Sequence, residues 1–220
     1  MVLARLDNIA NEDGSGWLTE REAERLATMT APARRRSFLA GHWQARVVAA
    51  DWLQVDMRRI ALHRHEDGRP QLLVDGVPSA LSLSLSHSGD WLAIALATVP
   101  VGIDVELPRR ARDLDALARF TFSPEEVERL RELPEDVRGQ AFHVAWTLKE
   151  ARGKRIGEGL LPGRARLVTA SPSDANDADA MSWPLADGAL AIAIDPGSEL
   201  VLQGMESLGN PAHWRYHAAG

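Results

Sequence analysis

The sequence predicts an α+β chain in two halves, each of helices followed by a few antiparallel strands, meeting near Pro100. Three observations predict it. Phe38, Leu39, Trp43, Val47, Ala50 and Leu53 recur at the spacing of one helix face, over about Ala33 to Leu53. Leu81 to Ser86 alternates leucine with serine, the period of a half-buried strand; after His87-Ser88-Gly89-Asp90 the apolar run Trp91 to Thr98 returns, which makes a hairpin. A second long helix spans Phe142 to Leu160, breaking at Gly157 and Gly159, with extended stretches after it. No residue-level repeat relates the halves, which divide as 1–100 and 101–220.

The smaller elements follow local chemistry. Thr19 with Glu22 forms a capping box that opens a helix through Met29. Pro32 starts the long helix, whose first turn carries Arg34, Arg35 and Arg36, a solvated turn or a phosphate clamp. His63 to Gly68 reads as a turn, Gln71 to Val74 as a short extended piece, and Asp75-Gly76 as a reversal. Val101 to Glu106 is a strand with Val101, Ile103 and Val105 inward, and Gly102, Asp104 and Glu106 on the other face. Asp113 to Phe120 is helical, and Ser123-Pro124-Glu125-Glu126 is a helix start with Ser123 as cap. Arg164 to Thr169, Ala189 to Ile194 and Glu199 to Leu202 read as strands, Ser171 to Asp179 as a polar loop, and the tail from Pro211 is weakly determined.

Composition narrows the function. At 220 residues and 45% hydrophobic content the chain buries an ordinary globular core. A net charge of −6 gives no general attraction to nucleic acid or anionic membranes, so an anionic ligand needs a local basic cluster. The absence of cysteine removes thiolate chemistry and fits a reducing compartment. No signal-peptide core and no membrane-spanning run is present, which predicts a soluble, cytoplasmic protein.

The chemistry concentrates in three stretches: LSLSHSGDW, VGIDVE and WTLKEARGK. Trp146, Glu150 and Lys154 stack at i, i+4 and i+8 along one helix face, by themselves equally a surface ladder of salt bridges. Asp104 and Glu106 point the same way about 7 Å apart and repel unless a cation lies between them, with Gly102 leaving room beside them. Together Asp104, Glu106 and Glu150 suit a hard divalent ion such as Mg²⁺; with no cysteine and His87 the one nearby histidine, zinc is disfavoured. Acids with lysines and arginines around them fit phosphoryl-type transfer, and neither a P-loop nor a G-x-S-x-G elbow is present.

On these residues the chain resembles the 4′-phosphopantetheinyl transferases of the Sfp type, the larger, pseudodimeric class. Gly68-Arg69-Pro70, LSLSHSGDW, VGIDVE and WTLKEARGKRIGEGL match in the family's order over residues 68–160. The resemblance implies a pseudodimer of two similar α+β halves with coenzyme A in the cleft between them. It implies transfer of the phosphopantetheine arm from coenzyme A to a serine of an acyl or peptidyl carrier protein, releasing 3′,5′-ADP. It assigns the metal to Asp104, Glu106 and Glu150. Ser86 and His87 meet the 3′-phosphoadenosine end, Arg69 the nucleotide, Arg34 and Arg46 further coenzyme A contacts, and Lys154 with its neighbour Lys149 the pyrophosphate. Glu126 matches an acid that is one candidate for the general base; Glu150 is a second and a water on the metal a third. Gly153 stands where a larger residue is common and is expected to bend the helix near Lys154 or to make room for a ligand. A monomer is expected, and Arg109, Arg110 and Arg112 could form a carrier-docking face. The competing readings are a non-catalytic coenzyme A-binding regulator on the same fold and a magnesium-dependent phosphohydrolase.

Overall fold

A computed structural model describes residues 1–9, 16–108, 113–186, 188–204, 206 and 208–219. The arginines at 109, 110 and 112 lie outside the described residues. The first half runs β1 (Val2–Arg5), α1 (Glu20–Ala27), α2 (Pro32–Leu53), β2 (Ile60–Arg64), β3 (Pro70–Val74), β4 (Val77–Ser88) and β5 (Trp91–Ala97). The second runs β6 (Gly102–Glu106), α3 (Leu114–Thr121), α4 (Pro124–Glu132), α5 (Glu135–Ile156), α6 (Pro162–Ala165), β7 (Val168–Pro172), β8 (Ala180–Leu185), β9 (Gly188–Ala193) and β10 (Ala212–Ala218).

The fold is α+β and repeats one plan twice. Each half is a five-stranded sheet under a long helix, in the orders β1-β5-β4-β3-β2 and β6-β9-β8-β10-β7. All pairings between these strands are antiparallel. α2 and α5 each have 22 residues and both end in a left-handed cap, at Gln54 and Gly157. The fourth place of the sheet is filled differently: by β3 from within the first half, and by the C-terminal strand β10 in the second.

The halves meet through side chains that the alternation selects. β5 turns Leu92, Ile94 and Leu96 to its own helical layer and Ala93, Ala95 and Ala97 to the other half. β9 does the reverse, with Leu190 and Ile192, and Ile194 just beyond its end, at the junction and Ala191 and Ala193 beneath α5. Small residues on one sheet thus admit large ones from the other, and both halves contribute to a single core with Ile103, Val105 and Trp183. The serines of β4 complete the junction. β6 is the edge strand of its sheet, and the N–H groups of its Ile103 and of Val101 and Leu107 at its two ends donate to the hydroxyls of Ser84 (3.0 Å), Ser82 (3.2 Å) and Ser88 (3.0 Å).

Several boundaries differ from expectation. β1, β2, β8 and β10 are strands that the sequence reading did not assign, Pro162–Ala165 is a helical turn, and Glu199 to Leu202 is no strand. Val201 to Gly204 instead runs beside β1, where Leu3 N–H donates to Gln203 O at 3.0 Å. α2 buries Ala45 and Ala49 completely while Val47 is 37% exposed, so its packed stripe lies a little round from the one predicted.

Candidate active site

Asp104 is the centre of the site. It sits mid-strand in β6, 5% exposed, because Gly102 lets that strand press against the backbone of α5. A Cβ at Gly102 would reach Ala151 O at 1.9 Å, so the room expected beside the acids is filled by the helix backbone. Two donors converge on Asp104 Oδ1: the Ser86 hydroxyl at 2.7 Å and Lys154 Nζ at 2.7 Å. Lys154 also donates to Ile103 O at 3.0 Å. Asp104 Oδ2 is buried and has no hydrogen-bond partner.

Glu150 lies one turn before Lys154 on α5 and shares this space. Burial pushes its carboxyl up to about 7, the charges of Asp104 and then Glu106 push the same way, and Lys154 opposes them. Ser88 Oγ stands 3.5 Å from Glu106 Oε2. Among the described residues no three His, Cys, Asp or Glu side chains are drawn together as a finished metal cage. The donor set nevertheless fits a hard cation: three carboxylates, one of them raised by burial and further by the other two, with a buried orphan oxygen on another.

A cavity of about 340 Å³ opens in the first half, against α1, α2, β2 and β4. His87 reaches it from the helix face of β4, whereas Ser86 points to Asp104. Arg21, Arg25, His63 and Arg64 also line it, and none of them was predicted. Burial, followed by the charges of Arg64 and Arg34, lowers the pKa of Arg25, the signature of cations held together. The i, i+4 spacing of Arg21 and Arg25 on the capped helix α1 was the available signal. Gly68 and Pro70 close the cavity, and Arg69 between them donates to Arg155 O at 3.2 Å, one residue beyond Lys154. Arg69 is also paired with Asp67 at 2.6 Å. The Asp67–Pro70 loop therefore spans from the cavity to the last turn of α5.

The other predicted residues lie elsewhere. Arg46 is 1% exposed and buried on Glu22 (2.5 Å), Ile60 O (3.0 Å) and His42 O (3.1 Å), with no donor directed to the cavity. Burial alone would raise Glu22; His42, Arg46 and the Thr19 amide outweigh it and hold its carboxyl at about 2. Arg34 is exposed at the start of α2, while Arg35 caps Leu26 O and Arg36 bonds Asp90. Lys149 is not on the Asp104 side: it is buried against Glu126 (2.8 Å), Ala165 O (2.8 Å) and Val168 O (2.5 Å). Burial lowers its pKa although Glu126 opposes this. Glu126 is committed to that pair and to a capping box with Ser123, so it is poorly placed to accept a proton. Gly153 does not interrupt α5, and the space its missing side chain leaves is taken by the chain itself. The helix runs unbroken to Ile156, and the glycine admits the Gly159 carbonyl, which a Cβ would meet at 2.3 Å.

The two halves, with an acidic centre on one and a basic cavity on the other, match known sequences in the same two parts. A family model described as the 4′-phosphopantetheinyl transferase superfamily matches residues 100–179, and one described as 4′-phosphopantetheinyl transferase, N-terminal, matches residues 15–99. The chain is similar to the 4′-phosphopantetheinyl transferase HetI of a Nostoc species, at 31% identity over 79% of this chain and 74% of that one. It is similar to the 4′-phosphopantetheinyl transferase Sfp of Bacillus subtilis at 30% identity, over 65% of this chain and 67% of that one. With a phosphopantetheinyl transferase of a Thraustochytrium species it shares 32% identity over 65% of this chain, and the match spans about half, 54%, of that longer relative. The chain belongs to the 4′-phosphopantetheinyl transferase superfamily, in its two-half, Sfp-type form.

Proposed function

We propose that the protein transfers 4′-phosphopantetheine from coenzyme A to a serine of an acyl or peptidyl carrier protein, with Mg²⁺ as cofactor, giving holo-carrier and 3′,5′-ADP. The observation that carries this reading is Asp104: buried, gripped by Lys154 and Ser86 through one oxygen, and unpartnered at the other beside the raised carboxyl of Glu150. Asp104, Glu106 and Glu150 would hold the cation, which neutralises charge on phosphate oxygens. The basic cavity with Arg21, Arg25, Arg64 and His87 takes the 3′-phosphoadenosine end. Arg69 and Lys154 then lie along the path towards the pyrophosphate.

The carrier serine oxygen bonds to the phosphorus bearing the pantetheine arm as that phosphorus loses its bond to the bridging pyrophosphate oxygen, and 3′,5′-ADP leaves with the electron pair. Lys154 stabilises the charge that builds on the pyrophosphate. With Glu126 engaged by Lys149, Glu150 is the carboxylate left to take the serine proton. The shared core between the halves supports a monomer, since each half covers the other. No described helix is long and apolar enough to cross a membrane.

The test is the mass of apo carrier proteins of fatty-acid, polyketide and nonribosomal-peptide type after incubation with this protein, coenzyme A and Mg²⁺. Gain of one phosphopantetheine arm, lost with EDTA and in Asp104→Ala, is the expected result. No gain on any carrier despite coenzyme A binding would point to the regulator, and carrier-independent breakdown of coenzyme A to the phosphohydrolase.

A further inference from the structure

The serines of β4 divide their bonds unequally. Ser82, Ser84 and Ser88 accept the N–H groups of Val101, Ile103 and Leu107, in β6 and at its two ends, and Ser88 also reaches Glu106 Oε2 at the long distance of 3.5 Å. Ser86 lies on the same face of the same strand, is buried, and gives its proton to Asp104 Oδ1 at 2.7 Å, the close contact of the two to a carboxylate. Strand register explains the choice. Ser84 lies at Ile103 and Ser88 at Leu107, which brings Ser86 abreast of the segment holding Asp104. His87 points to the opposite face and into the cavity, so adjacent residues serve two different places.

Two donors on Oδ1 and none on Oδ2 leave Asp104 asymmetric. Ser86 from one half and Lys154 from the other fix the plane of the carboxylate. The remaining oxygen is buried and bare, a costly state for a carboxylate that a hard cation relieves. Outer partners that fix a ligand in this way control metal affinity without touching the metal. Resting on the reading of Asp104, Glu106 and Glu150 as the cation site, we propose that Ser86 is a positioning residue for the metal. It pins Asp104 through Oδ1 so that Oδ2 is presented to a divalent cation, and it does not act by contacting the nucleotide.

Mn²⁺ binding followed by electron paramagnetic resonance, with and without coenzyme A, and coenzyme A binding in EDTA followed by calorimetry, separate these roles. Ser86→Ala is expected to weaken Mn²⁺ binding by about 10- to 100-fold and to leave coenzyme A affinity in EDTA unchanged. Ser86→Thr, which keeps the hydroxyl, restores Mn²⁺ binding. Ser84→Ala, which loses only the bond from Ile103 N–H, lowers the melting temperature and leaves Mn²⁺ binding as in the wild type. If Ser86→Ala does not fold, Ser86→Cys, a weaker donor of similar size, carries the same expectation. Mn²⁺ binding by Ser86→Ala equal to wild type, or a loss of coenzyme A affinity in EDTA with Mn²⁺ binding intact, overturns the proposal. Absence of Mn²⁺ binding by the wild type, with and without coenzyme A, overturns the cation site itself and the role of Ser86 with it.

Discussion

Gly102 and Ala151 are in backbone contact: a Cβ on the glycine would stand 1.9 Å from the alanine carbonyl oxygen and 2.5 Å from Arg155 N. Neither partner is a flexible side chain that could turn away. Gly102→Ala is therefore expected to push β6 from α5, to destabilise the protein by about 3 kcal/mol, and to abolish transfer even where the protein stays folded. Urea denaturation alongside the carrier-mass assay checks both; a near-wild-type variant would mean that β6 and α5 lie further apart.

Lys154 and Ser86 share one oxygen of Asp104, but only Lys154 carries a charge. Lys154→Met should cut transfer by about 10²- to 10³-fold at saturating coenzyme A, the scale of losing one electrostatic donor to a transition state. The check is kcat measured apart from KM. A change confined to KM would place Lys154 in ground-state binding alone.

Glu126 and Lys149 form a buried pair, 5% and 6% exposed. Removing one partner strands the other charge, which costs about 3–5 kcal/mol. Glu126→Leu and Lys149→Met are each expected to lower stability sharply, while the double variant recovers part of the loss. The double variant should also transfer phosphopantetheine at low temperature. Complete loss of transfer in a double variant shown to be folded would return Glu126 to the role of base.

Two carboxyls set opposite pH dependences in the metal-free protein. Glu150 moves from 4.5 when unfolded to about 7 when folded, so the native state keeps a proton that the unfolded state has lost. Stability from this group is complete below pH 4.5 and falls by about 2–3 kcal/mol as pH rises to 7. Glu22 moves from 4.5 down to about 2, so its contribution is present above 4.5 and is lost as pH falls to 2. In EDTA, urea midpoints should be higher at pH 5 than at pH 7.5, and Glu150→Gln should remove that difference. Mg²⁺ should raise the midpoint at pH 7.5 more than at pH 5.

Much of this arrangement could be read from spacing. The leucine–serine alternation of β4, the caps at Thr19 and Ser123, and the face shared by Glu150 and Lys154 are local properties, and each appears where the periodicity puts it. Of the strands that periodicity does not reveal, β1 and β10 take their form from partners far along the chain, whereas β2 and β8 pair with the next strand in sequence but are short and lack a clean alternation. Arg46 and Lys149 look like ligand cations because nothing in a helix pattern reveals a buried carboxylate 24 residues away, or another on a preceding helix. The partner of Gly153 is hidden for the same reason: it is Gly159, beyond the end of the helix.

The strand that fills the fourth place of the second sheet has a consequence for the order in which the protein is made. Chains leave the ribosome N-terminus first, and folded units form as they emerge. All strands of the first sheet lie within Val2–Ala97, so that sheet can close while the rest is still being synthesised. The second sheet keeps a gap between β7 and β8 until Ala212–Ala218 has emerged. β6 and α5, which carry Asp104, Glu150 and Lys154, rest on that sheet, so the nascent chain can form the cavity of the first half well before it has a finished carboxylate centre.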